Sequence, residues 1–306
     1  MKKILVTGVA GFIGSHLAER LVAAGYDVIG IDNFSYGLRE QVPAKVDFHK
    51  LDIRSKDIYP LFEGVDVAFH LAAKNSLPDC QRDPVETMDV NVVGTANIFE
   101  AARRAGVKKV VYAQSSAVEE GDNRLKGFYA ISKFADAMVD EGYKDAFGLT
   151  TVAARYFNVY GPRQDYRRNP PPIMTKFIIK MLKNEPPILF DDEHKNARDY
   201  IYVDDINDFH LRCIEDDSVN NKMFRLGSGD STSLTDIFDT LKKVMDLPIE
   251  PIVQPRPNHP DYRAALTRAD IKNTLALGWK PKTSLEDGLR AQVEYLKAEF
   301  AKGRIA

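Results

Sequence analysis

A tyrosine at position 129 and a lysine at 133 stand four residues apart in "FYAISKF". On a helix that spacing puts both side chains on one face. A phenol in water has a pKa of ~10 and is a poor base at neutral pH, but a positive charge beside it favours the phenolate. The pair can therefore take a proton from an alcohol held next to it. A second group of residues, Gly8, Gly11 and Gly14 in "TGVAGFIG", can seat a dinucleotide. Gly8 allows a tight turn, Gly11 lets the backbone approach a pyrophosphate, and Gly14 lets a helix pack closely on a sheet. A helix beginning near Phe12 then presents free N–H groups and a positive dipole end to the phosphates. Asp32 lies 18 residues beyond Gly14. A carboxylate at that place accepts hydrogen bonds from the adenosine ribose and repels a 2'-phosphate, so NAD is expected rather than NADP.

These residues need a strand, a turn and a helix to place them, and the flanking sequence supplies all three. "KILV" is a short apolar strand, and "FIGSHLAERLVAAG" has helical periodicity. Strand-like runs then recur as "DVIGID", "VDFHKLDI", "DVAFHLAA", "KKVVYAQSS" and "TTVAARYFN", with an amphipathic stretch from Thr87 to Ala105 between the fourth and fifth of the six. The alternation predicts an α/β fold with a doubly wound parallel Rossmann sheet. Beyond Asn158, proline and turn residues concentrate in "GPRQDYRRNPPP", "NEPP" and "PIEPIVQPRPNHPDY". This predicts a nucleotide-binding domain over 1–158 and a smaller α/β substrate domain over 159–306. No clean linker separates them, and the apolar segments around Ile201, Leu211 and Phe224 read as core, so the two are expected to interleave. Asp52 in "LDI" ends the third strand, where it can touch the adenine or simply form a turn.

At 306 residues the chain can bury a large core. With 42 basic and 44 acidic residues and a net charge of -2, nothing in the charge calls for nucleic acid or an anionic membrane. Two cysteines, Cys80 and Cys213, are too few for a disulfide framework and lack metal-ligand spacing, so no metal is expected. "MKKILV" is interrupted by Thr7 and Gly8 too early for a signal peptide, and no apolar run reaches membrane-spanning length. A cytoplasmic protein acting on a small molecule is the expectation.

The motifs "TGVAGFIG", "IDNFSYG", "LDI", "HLAA", "NVVGTANIFEAA", "YAISK", "ARYFNVYGPRQ", "RDYIYVDD", "RLGSGDSTSL" and "LGWKPKTSLEDGL" run through nearly the whole chain. In these the sequence resembles the extended short-chain dehydrogenase/reductase family, and within it the NAD-dependent nucleotide-sugar epimerases of the UDP-glucose 4-epimerase type. The resemblance implies a cofactor-contacting set of Gly8, Gly11, Phe12, Ile13, Gly14, Asp32, Asn33, Asp52, Ile53, Leu71, Ala72, Ala73, Asn91, Tyr129, Lys133 and Phe157. It implies catalysis by Ser115, Tyr129 and Lys133, with Ser115 on the sugar oxygen and Ser116 as a neighbour able to substitute. Asn158 is implied near the substrate. Arg198 and Arg256 match positions that grip the nucleotide diphosphate, for which a guanidinium fork is well shaped.

The reaction so implied is 4-epimerisation of a nucleotide diphosphate sugar. Tyr129 takes the C4 hydroxyl proton, Lys133 holds the phenolate and the nicotinamide ribose, and hydride goes out to NAD and returns to the other face of a 4-keto sugar. A homodimer is implied as well, built on the helices over Thr87 to Ala105 and Tyr129 to Phe147. Apolar Val90, Val93, Ile98 and Phe99 recur on the first helix and Phe134, Ala137 and Met138 on the second, against the plainer reading that all of them face the chain's own core.

The sequence departs from the pattern after Val118. Glu119 and Glu120 stand where the family has Tyr-Gly, and the segment from Val118 to Tyr129 is shorter than usual. Such loops carry sugar-facing contacts, so a short one should reshape the pocket. The glutamates are expected to point to solvent; the other reading puts one of them at the sugar as an extra acid or base. Nucleotide-sugar 4,6-dehydratases place Asp and Glu after the catalytic Ser/Thr, where this chain has Ser116 and Ala117. Dehydration and decarboxylation are disfavoured on that ground. A dehydratase or reductase relying on Glu119 or Glu120, and an NAD-binding regulatory protein without turnover, are the alternatives.

Overall fold

The computed structural model describes residues 1–119, 125, 127–193, 196–257 and 266–305. The chain divides into two compact units, one of residues 1–156 and 206–226, the other of 157–205 and 227–305.

The first unit is built on seven parallel strands: β1 (Lys3–Thr7), β2 (Asp27–Asp32), β3 (Asp47–Lys50), β4 (Val67–His70), β5 (Lys109–Ser115), β6 (Thr151–Tyr156) and, after the chain returns, β11 (Lys222–Leu226). Their order across the sheet is β11-β6-β5-β4-β1-β2-β3. The sequence of strand positions reverses between β1 and β4, the place where doubly wound sheets receive ligands at the carboxyl ends of their strands. β1 is apolar on both faces, as a central parallel strand must be, with Ile4, Leu5 and Val6 fully buried. On one face Leu5, Ala68, Val110 and Tyr112 pack with Ile98 and Phe99 of α4 (Gly94–Ala105). On the other, Phe69 meets the edge of His210 at 5.5 Å, carried by α7 (Val203–Glu215). The Arg20 guanidinium of α1 (Phe12–Ala23) pairs with Asp208 of α7.

Two elements differ from the sequence reading. β3 stops at Lys50, so Asp52 lies beyond the strand rather than at its end; as the edge strand, β3 has only β2 to pair with. The helical stretch expected from Thr87 begins earlier. After α2 (Leu77–Arg82), the Asp83 side chain accepts from the Glu86 N–H at 3.0 Å and caps α3 (Pro84–Met88), with Pro84 at the first helical position. A single π-helical turn, Asp89–Val93, then joins α3 to α4. The longest helix of this unit, α5 (Gly127–Phe147), packs against α2, α3, α4 and the π turn.

Among its described residues the second unit has three short strand pairs: β7 (Asn158–Tyr160) with β10 (Tyr200–Tyr202), β8 (Ile188–Phe190) with β13 (Ile252–Gln254), and β9 (Ala197–Arg198) with β12 (Thr232–Ser233). Its core joins α6 (Ile173–Leu182), α8 (Leu234–Met245) and α10 (Leu285–Ala301) through Phe177, Ile178, Phe238, Leu241, Leu289 and Val293. A short helix, α9 (Lys272–Ala276), leads to Trp279, whose indole N–H donates to the Asp205 carbonyl at 2.9 Å. The Asp205 carboxylate accepts from the N–H groups of Lys282 and Thr283. This ties "LGWKPKTSL" to "YVDD". Of the segments read as core from sequence, Ile201 is buried here, while Phe224 lies in β11 and the half-buried Leu211 in α7, both in the first unit.

Candidate active site

The glycine turn follows β1 directly. Gly8 has φ +71°, and a Cβ there would fall 2.9 Å from the Ala72 backbone nitrogen. A Cβ on Gly14 would meet the Gly8 carbonyl oxygen at 2.1 Å, so the first turn of α1 can only sit this close with glycine. Gly11 is different: an added Cβ would meet only the Gly8 oxygen, at 3.2 Å. Gly11 is also the N-cap of α1, and no side chain caps this end and no acid stands in its first turn. Uncapped N–H groups, a positive dipole end and a backbone bare of side chain are what a pyrophosphate requires. The residues fit a dinucleotide. Phe12 and Ile13 open the helix, both half-buried, with Phe12 edge-on to His16.

Asp32 ends β2 and is 9% exposed. Its Oδ2 accepts from the Ala10 N–H at 3.0 Å and its Oδ1 from the Phe34 N–H at 2.7 Å. Burial lifts the carboxyl above its ordinary value, against the pull of the Phe34, Ala10 and Asn33 N–H groups. Each oxygen retains a lone pair, so the group can still receive ribose hydroxyls. Asp52 is engaged otherwise. It accepts from Arg54 through Nε at 2.9 Å and Nη2 at 2.8 Å and from the exposed Asn33 amide at 3.0 Å, while Arg54 reaches on to Asp89 at 2.7 Å. The Arg54 hydrogen bonds hold Asp52 at about 2. Ile53 packs in the core cluster under Gly94.

At the end of β4, the Thr7 hydroxyl accepts from the N–H groups of Leu71 and Ala72, and stands 2.8 Å from Nδ1 of His70. The other His70 nitrogen meets Thr95 at 3.0 Å. Burial holds His70 neutral, with its pKa lowered to about 3. Ala73 is half-buried, and Asn91 is 1% exposed. The Asn91 amide accepts from the Lys74 N–H and donates to the Lys74 carbonyl and to Ser132 Oγ, so both of its N–H groups are committed to bracing α5 against the segment after β4. Lys74 itself is buried and paired with Glu86.

Ser115 closes β5, and its hydroxyl accepts from the Ala117 N–H at 3.2 Å; Ser116 beside it is buried. Tyr129 lies half-exposed in the first turn of α5, and Lys133, 3% exposed, lies one turn further on. Lys133 Nζ donates to the Ala113 carbonyl at 3.1 Å and to Asp136 at 2.9 Å. Burial alone would lower the ammonium, but the Asp136 carboxylate and the Tyr129 phenol outweigh it and the net displacement is upward. Asp136 was not singled out from sequence, although its spacing three residues after Lys133 on one helix is a signal. Neither were Thr7, His70, Thr95 and Ser132.

Glu119 is exposed, and its carboxylate is clasped by Arg225 through Nε at 2.9 Å and Nη2 at 2.7 Å and paired with Arg155. Burial would raise its carboxyl, yet the two guanidinium groups hold it below its ordinary value, so it stays ionised and has no proton to give at neutral pH. Glu120 lies outside the described residues.

In the second unit, Phe157 is buried. The Asn158 amide donates to the Asp199 carbonyl at 2.7 Å. The Asp199 carboxylate gathers the N–H groups of Ser228, Gly229 and Ala269. Arg198 is half-buried in β9. Arg256 pairs with Asp192 at 2.7 Å and Glu193 at 3.2 Å and lies over the Phe190 ring at 4.6 Å, which fixes the plane of its fork. Among the described residues no group of three or more His, Cys, Asp or Glu could hold a metal, and no helix is long and apolar enough to cross a membrane.

Residues 4–227 match the model of the NAD dependent epimerase/dehydratase family, and the chain belongs to that family. It is 33% identical over 316 residues to a UDP-glucose 4-epimerase of Mycolicibacterium smegmatis, an alignment covering 96% of this chain and 98% of the relative. Among solved structures, the UDP-glucose 4-epimerase of Thermotoga maritima with UDP-glucose superposes with a TM-score of 0.89 at 32% identity, over 97% of this chain and 99% of that one. The Thermus thermophilus UDP-glucose 4-epimerase in complex with NAD gives 0.85 at 32% identity, over 96% and 99%.

Proposed function

We propose that this chain is an NAD-dependent 4-epimerase of nucleotide diphosphate sugars of the UDP-glucose/UDP-galactose type. The observation that carries this is the pairing, within one unit, of a glycine turn shaped for a pyrophosphate with Tyr129 and a charged, buried Lys133 one helical turn apart. Gly8, Gly11 and Gly14 hold the pyrophosphate against the start of α1, and Asp32 receives the adenosine ribose and disfavours a 2'-phosphate. NAD, when bound, supplies an acceptor and donor of hydride. Tyr129 takes the C4 hydroxyl proton and later returns it, Lys133 stabilises the phenolate, and Ser115 polarises the sugar oxygen. Arg198 and Arg256 grip the diphosphate of the nucleotide sugar, Asn158 serves the substrate and Phe157 the nicotinamide.

A dehydratase drawing on Glu119 is not favoured, since that carboxylate is ionised between two arginines. We further propose a homodimer joined through α4, α5 and the π turn. Its support is that Val93, Phe134 and Met138 are 54%, 46% and 52% exposed, whereas Ile98 and Phe99 are buried in the chain's own core. A cytoplasmic location agrees with two free, buried thiols at Cys80 and Cys213. The functional test is product identification by NMR after incubation with UDP-glucose and UDP-N-acetylglucosamine. A 4-epimer is expected from at least one, and a dehydrated product or none from either would overturn the reading.

A further inference from the structure

Lys133 and Asp136 form an ion pair inside the protein, 3% and 0% exposed. A lysine ammonium has three N–H donors. Two of them are committed, one to Asp136 Oδ2 and one to the Ala113 carbonyl, and with two fixed the tetrahedral nitrogen has its third direction fixed as well. The carboxylate that does this is not a general structural hub. Its Oδ1 is buried with no hydrogen-bond partner, and the Thr95 hydroxyl, which also faces it, donates instead to the Asn91 carbonyl.

Among the described residues, three other ionisable groups that face the pair from neighbouring elements are kept uncharged by burial. Cys80 approaches from α2, where burial pushes its thiol up. His70 comes from β4, its imidazole lowered to about 3 by burial. Tyr112 on β5 is raised by burial and by Asp140, which it touches at 3.0 Å. On α5 itself, Tyr129 precedes the pair by one turn. The only opposite charge beside the Lys133 ammonium within this group is therefore Asp136. A buried lysine without such a partner loses its proton readily, by several pH units in documented cases.

Resting on the assignment of Tyr129 and Lys133 as the catalytic pair, we propose that Asp136 is a positioning residue whose buried carboxylate keeps Lys133 charged and aimed for its part in the proton transfer by Tyr129. Asp136 touches neither substrate nor cofactor in this role; it acts through Lys133.

The test follows the tyrosinate absorbance of the purified protein as pH is raised, in the presence and absence of Tyr129→Phe, so that the difference isolates Tyr129. It needs no sugar substrate, so its outcome is separate from that of the epimerase assay. In Asp136→Asn the pH at which half of Tyr129 is ionised should rise by about one unit or more, and turnover at neutral pH should fall about tenfold or more with it. Asp136→Glu, which keeps the charge, should restore most of the titration. Should Asp136→Asn not fold, Lys133→Met and the double variant Lys133→Met/Asp136→Asn bury no unpaired lysine and serve instead. Tyr129 should titrate alike in those two. An unmoved or lowered Tyr129 titration in Asp136→Asn, or a difference between the Lys133→Met backgrounds, would overturn the proposal.

Discussion

Tyr129 stands half-exposed at the start of α5 while Lys133 is sealed inside the same helix, and this difference divides their work. In the proposed reaction the phenol meets a substrate hydroxyl and the ammonium tunes it from behind. Tyr129→Phe removes the proton acceptor without touching the glycine turn or Asp32. It should keep NAD bound, as judged by cofactor content after purification, and slow turnover by ~100-fold or more. Turnover near wild type would assign the proton transfer elsewhere. The Tyr129, Lys133 and Asp32 positions were legible in the sequence because each is local: a spacing of four, or the end of a short apolar run. The surroundings of Glu119 were not legible, since its partners Arg155 and Arg225 lie 36 and 106 residues away and meet it only when β6 and β11 pair. Asp136 was visible at helical spacing, but nothing in a single sequence reveals that it is fully buried.

At the scale of the element, the glycine turn separates two duties that look alike in sequence. Gly14 serves internal packing and Gly11 faces outward. Gly14→Ala should lower thermal stability by an amount typical of overpacking, about 1–3 kcal/mol or more, because the contact is with backbone that cannot swing away. Gly11→Ala should leave the melting temperature of the cofactor-free protein nearly unchanged and weaken NAD binding. Paired melting curves and NAD titrations distinguish them, and equal losses of stability would contradict the division. Periodicity located β1, β2, β4, β5 and β6 closely, since each is a continuous apolar run. It misplaced the start of the helix before β5. There the cap on Asp83 and the proline at 84 begin the helix before the amphipathic pattern does, and the π turn breaks its phase.

At the scale of the whole molecule, the chain leaves the first unit after Tyr156 and returns with Ile206–Leu226 to add α7 and the edge strand β11. Apolar residues signalled a core there without saying which, because "KMFRL" carries no mark of its partner β6. The exposed Val93, Phe134 and Met138 belong to the first unit and are the basis for expecting self-association. Light scattering at micromolar concentration should give twice the chain mass of 34.4 kDa, and Phe134→Glu with Met138→Glu should return it to that value. A wild-type mass that stays at one chain would sink the dimer. In the proposed reaction hydrogen leaves C4 of the sugar and comes back to the same carbon. The most direct measurement is therefore the NMR incubation repeated with UDP-glucose and UDP-N-acetylglucosamine deuterated at C4. A 4-epimer that keeps its deuterium at C4 is expected, whereas an epimer whose label has exchanged with solvent, or no 4-epimer from either sugar, would rule this reaction out.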